Sequence, residues 1–278
     1  MAAAPLRLDK ALVARGLARS REVALSMIEA GHVLVNGSIA QKATRQVRSS
    51  DQIVVANHFP RYVGRGAEKL LGLLERHPLD IAGTEVADLG SSTGGFTQVL
   101  LEVGAARVWA IDVGKGQLDQ SLRTHPKVEV MEGVNLRFLD RRQFNLPKLD
   151  LAVGDLSFIS LTKLVDAIVD VVLEQRGTFA LLVKPQFEVE REVAARFKGV
   201  ITDPQYWRSA ISKVGDRFVE AGARIDDLIL SPISGGDGNR EFFIVGSVGV
   251  SDRAQNATSI DEMIEREVQL ALQPVAKP

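Results

Sequence analysis

The chain has 278 residues, 45% hydrophobic and 25% charged, with no cysteine. That suits a folded chain of one large or two unequal domains, and it excludes disulfides, zinc–thiolate sites and cysteine nucleophiles. Net charge is −1, yet residues 1–70 hold 11 Lys/Arg against 5 Asp/Glu while the rest hold 23 against 30. A basic head on an acidic body points to a polyanion-binding module joined to a domain with other work, although an uneven solvated face reads the same way. No apolar run approaches the ~18 residues of a membrane-spanning helix. The opening MAAAPLRLDK has no apolar signal core, so the expected location is cytoplasmic.

The first sixty residues form one unit in this reading. Leu8, Leu12 and Val13 are spaced for a helix that Gly16 ends. Ser20 can cap a second helix carrying Val23, Ala24, Met27 and Ile28, which Gly31 closes. Val33-Leu34-Val35 and Ile53-Val54-Val55 are short strands, and Asn36-Gly37 is a tight-turn signal. Such a unit buries little surface. If its charge serves RNA, the candidate phosphate contacts are Arg7, Arg19, Arg21, Lys42 and Arg45.

His58 to Gly66 breaks any period, and the expected domains are 1–60 and 67–278 with 61–66 as linker. Leu70, Leu71, Leu73 and Leu74 then give a helix its apolar face. Strands follow at Val86–Leu89, Val108–Val113, Val128–Met131, Leu149–Leu156, Phe179–Val183, Ile225–Leu230 and Phe242–Val248. Helices alternate with them, at Phe96–Val103, Leu161–Leu173 and Gln205–Ala221. This order predicts an α/β fold, a seven-stranded, mostly parallel sheet covered on both faces. The last two strands are joined through Gly235-Gly236-Asp237-Gly238, too short for a parallel crossover, so that pair should be antiparallel. Ser259 and Glu262 form a capping-box pattern opening a C-terminal helix.

The loop Asp88-Leu-Gly90-Ser91-Ser92-Thr-Gly94-Gly95-Phe96 joins the first strand to its helix, where such sheets bind nucleotide-like ligands. Its pattern is not the G-x-G-x-x-G that seats a pyrophosphate on a helix N-terminus. S-adenosylmethionine (SAM) has no pyrophosphate. Glycines would let the backbone approach it, and Asp88 is suited to its ammonium group. Asp112 ends the next strand, 24 residues on, where a carboxylate can accept from two ribose hydroxyls. Asn135, after the third strand, falls near an adenine edge. NAD, or a plain turn with an acidic cap, stays open for the loop, and simple turn formation stays open for Asn135.

Asp155 follows the fourth strand and Lys184 the fifth. A lysine ending an apolar central strand is costly to bury unless it serves the crevice or reaches back to solvent. Methyltransferases acting on amino nitrogens often carry an Asn/Asp-Pro-Pro-Tyr/Phe box at the first of these places, but Asp155-Leu-Ser-Phe158 lacks the prolines. Pyrimidine carbon-5 methylation needs a cysteine, and there is none. A ribose 2′-hydroxyl remains a good candidate, with lysine to stabilise an alkoxide or to act as base.

The chain resembles the TlyA (hemolysin-A-like) family of ribosomal RNA 2′-O-methyltransferases, whose catalytic domain is of the FtsJ/RrmJ type. In the head, Arg7-Leu-Asp-Lys, Gly16-Leu-Ala-Arg-Ser-Arg21 and Gly31-His-Val-Leu-Val-Asn-Gly37 look like an RNA-binding domain of the ribosomal protein S-four type. In the body the likeness runs through Gly64–Leu70, Asp88–Thr97, Asp155–Ser160, Val183–Glu188 and Gly238–Phe242. It implies a class I SAM-dependent methyltransferase fold, SAM as cofactor and cytidine riboses of large- and small-subunit ribosomal RNA as substrate; the sequence itself calls for no metal. It also implies a catalytic Lys-Asp-Lys-Glu tetrad at Lys69, Asp155, Lys184 and Glu241. The family linker can carry Arg-x-Trp-Val where this chain has Pro60-Arg61-Tyr62-Val63, with tyrosine in the aromatic position, so a linker effect on cofactor affinity stays open. Two other functions compete: a cytolysin, opposed by the lack of a spanning segment or barrel pattern, and a non-catalytic ribosome-binding protein, opposed by the intact tetrad.

Overall fold

The computed structural model describes residues 5–18, 20–29, 31–55, 62–140, 142–249 and 259–273. The chain divides into two units, Met1–Tyr62 and Val63–Pro278.

The first unit comprises β1 (Leu6–Arg7), α1 (Leu8–Ala14), α2 (Arg21–Glu29), β2 (Val33–Val35), β3 (Ser38–Ile39), β4 (Gln46–Val47) and β5 (Ile53–Val55). Gly16 follows α1 with φ +68°. The Ser20 hydroxyl accepts the Val23 amide at 3.2 Å and so caps α2. Asn36 and Gly37 both take positive φ, 52° and 79°, the two-residue turn whose twist suits a hairpin. It pairs β2 with β3, and β5 joins the other edge of β2 antiparallel. The core is a small cluster built around Leu8, Leu12, Ala24, Ile28, Val33 and Val35.

The second unit begins with α3 (Gly66–Arg76), whose Leu70 and Leu73 are buried. Then come β6 (Glu85–Leu89), α4 (Gly95–Glu102), β7 (Arg107–Asp112), α5 (Gln120–Arg123), β8 (Val128–Glu132) and β9 (Leu149–Gly154). They are followed by β10 (Leu173–Val183), α6 (Pro185–Glu188), α7 (Arg191–Arg196), α8 (Pro204–Glu220), β11 (Ala223–Leu230), β12 (Phe242–Val248) and α9 (Ile260–Leu272). Among the described residues, seven strands form one sheet in the order β11-β12-β10-β9-β6-β7-β8. The central strands are buried on both faces, which is why they read as unbroken apolar runs. β12 runs antiparallel to β11, as the short Gly-rich connection requires, and antiparallel to β10 as well, while the other neighbours are parallel. Strand order reverses between β9 and β6, and the crevice at their carboxyl ends is the switch point where this architecture binds ligands. Ser259 and Glu262 close the expected capping box on α9.

One expected element is different. Leu161–Leu173 is not a single α-helix: a 3₁₀ turn covers Leu161–Lys163, and a π-helical stretch covers Ala167–Val172. The chain then passes straight into β10, which starts at Leu173 rather than Phe179 and holds a register shift before Thr178. Val165, Ile168, Val169, Val171 and Val172 explain the difference. Branching at Cβ restricts χ1 in a helix and favours extended chain, so apolar spacing alone overstated the helix.

Candidate active site

The loop after β6 owes its shape to glycine at two points. Gly90 takes φ +82°, and a Cβ there would lie 3.1 Å from the Asp155 carbonyl oxygen. Gly94 takes φ +99°, and a Cβ there would lie 2.3 Å from Leu122 Cδ1. Only glycine lets the loop press this closely on its neighbours.

Asp112, at the end of β7, holds the loop from the far side. Its Oδ2 accepts the Ser92 amide at 2.8 Å and its Oδ1 the Gly114 amide at 2.7 Å. A carboxylate has about four acceptor positions, so both oxygens keep capacity for a ligand. Glu132 ends β8 and shapes the next turn. It accepts the amides of Gly116, Gln117 and Leu118 at 2.8, 3.1 and 3.3 Å. The Arg123 guanidinium beside it, with those amides, holds its pKa down at about 2. Asp112 and Asn135 line a cleft of about 460 Å³ with an apolar wall of Leu89, Ile111 and Leu136. The Asn135 side chain also accepts the Arg137 amide at 3.1 Å, so it forms the turn as well as facing the cleft.

A second cavity, of about 490 Å³, shares Gly90, Ser92, Asp155, Ser157 and Phe158 with the first. Ser91, Gly95 and Phe96 line it, as do all four tetrad candidates. Lys69 comes from α3, Asp155 follows β9, Lys184 follows β10 and Glu241 precedes β12. Lys69 Nζ lies 2.7 Å from Asp155 Oδ2 and 2.7 Å from Glu241 Oε2. Lys184 Nζ lies 2.6 Å from Asp155 Oδ1. The four charges therefore form a chain, Glu241–Lys69–Asp155–Lys184. Burial works against the Lys69 charge, but Asp155 and Glu241 outweigh it and raise its pKa above the usual lysine range. Burial likewise opposes the Asp155 charge, and Lys184 and Lys69 together lower its pKa. α3 is fixed from its other end, where Arg76 forks onto the buried Glu267 at 2.8 and 2.6 Å.

Asp88 and Gly94 stand apart from the other cofactor candidates, because neither lies on the wall of either cavity. Asp88 is 1% exposed, accepts the Thr97 hydroxyl at 2.5 Å through Oδ2, and keeps Oδ1 buried without a hydrogen-bond partner among the described residues. Burial pushes its pKa up to about 7. A carboxyl raised in the folded state destabilises the fold progressively as pH climbs from the unfolded value toward 7. Asp88→Asn should therefore raise the melting temperature of the free protein more at pH 8 than at pH 5. An equal shift at both pH values would contradict this.

Three residues of the site were not singled out from sequence. Ser157 Oγ accepts a hydrogen bond from Lys184 Nζ at 2.7 Å. Phe158 is 92% exposed with φ +63°, and its ring meets that of Phe187 at 5.4 Å. An exposed, strained aromatic at a cavity is a functional signal. Glu188 is buried and pins the same loop, accepting the Ser160 hydroxyl at 2.5 Å and the Leu161 amide at 2.7 Å.

In the first unit, Asp9 is fully buried and gathers two of the expected RNA contacts. Its Oδ1 accepts Arg7 Nε at 3.0 Å and its Oδ2 accepts Arg21 Nη2 at 2.8 Å. The Arg7 hydrogen bond, with that of Arg21, lowers the Asp9 pKa against burial. Both arginine side chains stay partly exposed, 39% and 55%. Lys42 is exposed and Arg45 half-buried, while Arg19 lies outside the described residues.

A sequence model of the FtsJ-like methyltransferase family matches residues 62–247, and an S4 domain model matches residues 6–53. The chain is 40% identical over 263 residues to the 16S/23S rRNA (cytidine-2′-O)-methyltransferase TlyA of Mycobacterium tuberculosis, covering 94% of this chain and 97% of that one. It is 35% identical over 253 residues to the 23S rRNA (cytidine-2′-O)-methyltransferase TlyA of Campylobacter jejuni, covering 83% and 95%. A solved structure from Streptococcus thermophilus, labelled a hemolysin, superposes with TM-score 0.70 at 31% identity over 96% of each chain. On these matches, and with an RNA-binding module ahead of a switch-point crevice, the chain belongs to the FtsJ-like methyltransferase family, in its TlyA branch.

Proposed function

We propose that this protein transfers a methyl group from SAM to the 2′-hydroxyl of a cytidine ribose in ribosomal RNA. One observation carries the reading: the Glu241–Lys69–Asp155–Lys184 chain lines a cavity that shares a wall with the cleft of Asp112 and Asn135. The cleft of Asp112 and Asn135 suits the donor, since it offers glycine backbone at Gly90, spare acceptor capacity on Asp112 and apolar walls for a purine. SAM, when bound, supplies an electrophilic methyl on a sulfonium.

The chain's own residues do the rest. Lys184 meets the 2′-oxygen. As a neutral amine it takes the hydroxyl proton; as an ammonium it stabilises the developing alkoxide. Asp155 holds Lys184 in place, and Lys69 holds Asp155. Glu241 balances the second lysine, so the cluster carries no large net charge that would repel or trap RNA. Phe158 offers an open ring face at the shared wall, and unpaired bases stack on such faces. A ribosomal substrate goes with a cytoplasmic location, and no described helix is long and apolar enough to cross a membrane.

The basic first unit anchors the RNA in this account, with Asp9 presenting Arg7 and Arg21 side by side. Neutralising phosphates releases counterions, so log affinity falls with log salt by ~0.7–0.9 per contact. Replacing Arg7 and Arg21 with alanine should weaken binding to ribosomal RNA and flatten that slope by about 1–2 units, while SAM affinity holds. Filter binding across a salt series reads this out, and an unchanged slope would remove these arginines from the interface. The reaction itself is tested by incubating methyl-labelled SAM with separated ribosomal subunits. Label should appear in the extracted RNA; label confined to protein, or none, would overturn the proposal.

A further inference from the structure

We propose that Ser157 is a positioning residue for Lys184, aiming the reacting position of its nitrogen into the methyl-acceptor cavity; the inference rests on the reaction proposed above. A lysine nitrogen has three positions beyond its Cε. Ser157 Oγ accepts a hydrogen bond at one of them at 2.7 Å, while Asp155 Oδ1 stands 2.6 Å from the nitrogen as an ion-pair contact. Among the described residues Lys184 Nζ has no hydrogen-bond partner besides Ser157, and Lys184 lines the cavity. The consequence holds for either charge state. A neutral amine gives one N–H to Ser157, which fixes the Cε–Nζ torsion, and its lone pair is repelled by the Asp155 carboxylate, which leaves the cavity side as its direction. An ammonium directs an N–H there instead. Asp155 alone would leave the nitrogen free to rotate about Cδ–Cε and Cε–Nζ.

The loop is built to hold that hydroxyl still. The Asp155 amide donates to the Leu89 carbonyl at 3.1 Å at its start, and Glu188 grips Ser160 and Leu161 at its end. Between them Phe158 is held at positive φ, a conformation costly for a bulky side chain. The partner being a hydroxyl also matters. Lys69 sits between two carboxylates, whereas Lys184 sits between a carboxylate and a neutral oxygen. Ser157 thus adds direction without a further negative charge. It is itself exposed, so truncating it leaves no cavity in the core.

The test compares Ser157→Ala and Ser157→Thr in the full-length protein. Loss of a hydrogen bond to a charged group should lower kcat of the alanine variant about tenfold or more, with SAM affinity and KM for RNA within about twofold of wild type. Threonine keeps the hydroxyl and should restore kcat to within about threefold. Wild-type kcat in the alanine variant, a loss carried by KM alone, or no rescue by threonine would overturn the proposal. A second readout needs no turnover. The ¹H–¹⁵N signal of the Lys184 side chain, assigned by its disappearance in Lys184→Arg, should shift or broaden in Ser157→Ala and recover in Ser157→Thr. An unmoved signal would count against Ser157 even if wild type fails to methylate RNA, a result that would fall on the reaction instead.

Discussion

Lys184→Ala should slow methyl transfer by about 10²–10⁴, the usual contribution of a positioned acid–base group. Lys69, the other lysine lining the cavity among the described residues, is held between Asp155 and Glu241 at 2.7 Å each and does not replace it. SAM affinity should change little, since Lys184 lines the acceptor cavity and not the cleft of Asp112. The fold should also survive. Asp155 keeps Lys69 as counter-ion at 2.7 Å, and removing the Lys184 side chain, which lines the cavity, opens space for water beside the buried Oδ1. Single-turnover rates, SAM calorimetry and a melting curve on one preparation separate these effects. Turnover above about a tenth of wild type would remove Lys184 as the essential group.

Asp112→Ala should weaken SAM binding by about ten- to hundredfold, because hydrogen bonds to a charged group contribute ~1.5–3 kcal/mol. Two losses combine there. The ribose loses its acceptor, and the loop loses the oxygen atoms that receive the Ser92 and Gly114 amides. Because Ser92 also lines the acceptor cavity, kcat at saturating SAM should fall modestly as well. Calorimetry giving a dissociation constant within about twofold of wild type would move the ribose contact elsewhere.

The parts of this fold legible in sequence are those set by local pattern. Val86-Ala-Asp-Leu89 reads as a buried strand because both its faces are covered. Asn36-Gly37 reads as a hairpin turn because few residues accept two consecutive positive φ values. The departures arise where the decisive contact is distant or where two propensities compete. Val165 to Val172 have helical spacing and strand-forming side chains at once, and from Ala167 they settle into a π-helical stretch running into β10. Lys184 was conspicuous as a charge ending an apolar strand, yet its hydroxyl partner lies 27 residues away. Lys69 and Asp155 meet across 86 residues, so only family resemblance could pair them in advance. Asp88 looked like a ligand contact from its place at a strand end, but its side chain turns toward Thr97 in α4. A strand's residue sequence does not reveal which of its final side chains reaches the crevice.

The identity and position of the transferred methyl decide the central claim. Ribosomal subunits lacking endogenous methylation at the target are incubated with the purified protein and methyl-labelled SAM. Their RNA is then digested to nucleosides and resolved by mass spectrometry. Label is expected in 2′-O-methylcytidine, and none when Lys184→Ala replaces the wild-type protein. Label on a base atom, or on the ribose of another nucleoside alone, would contradict the claim.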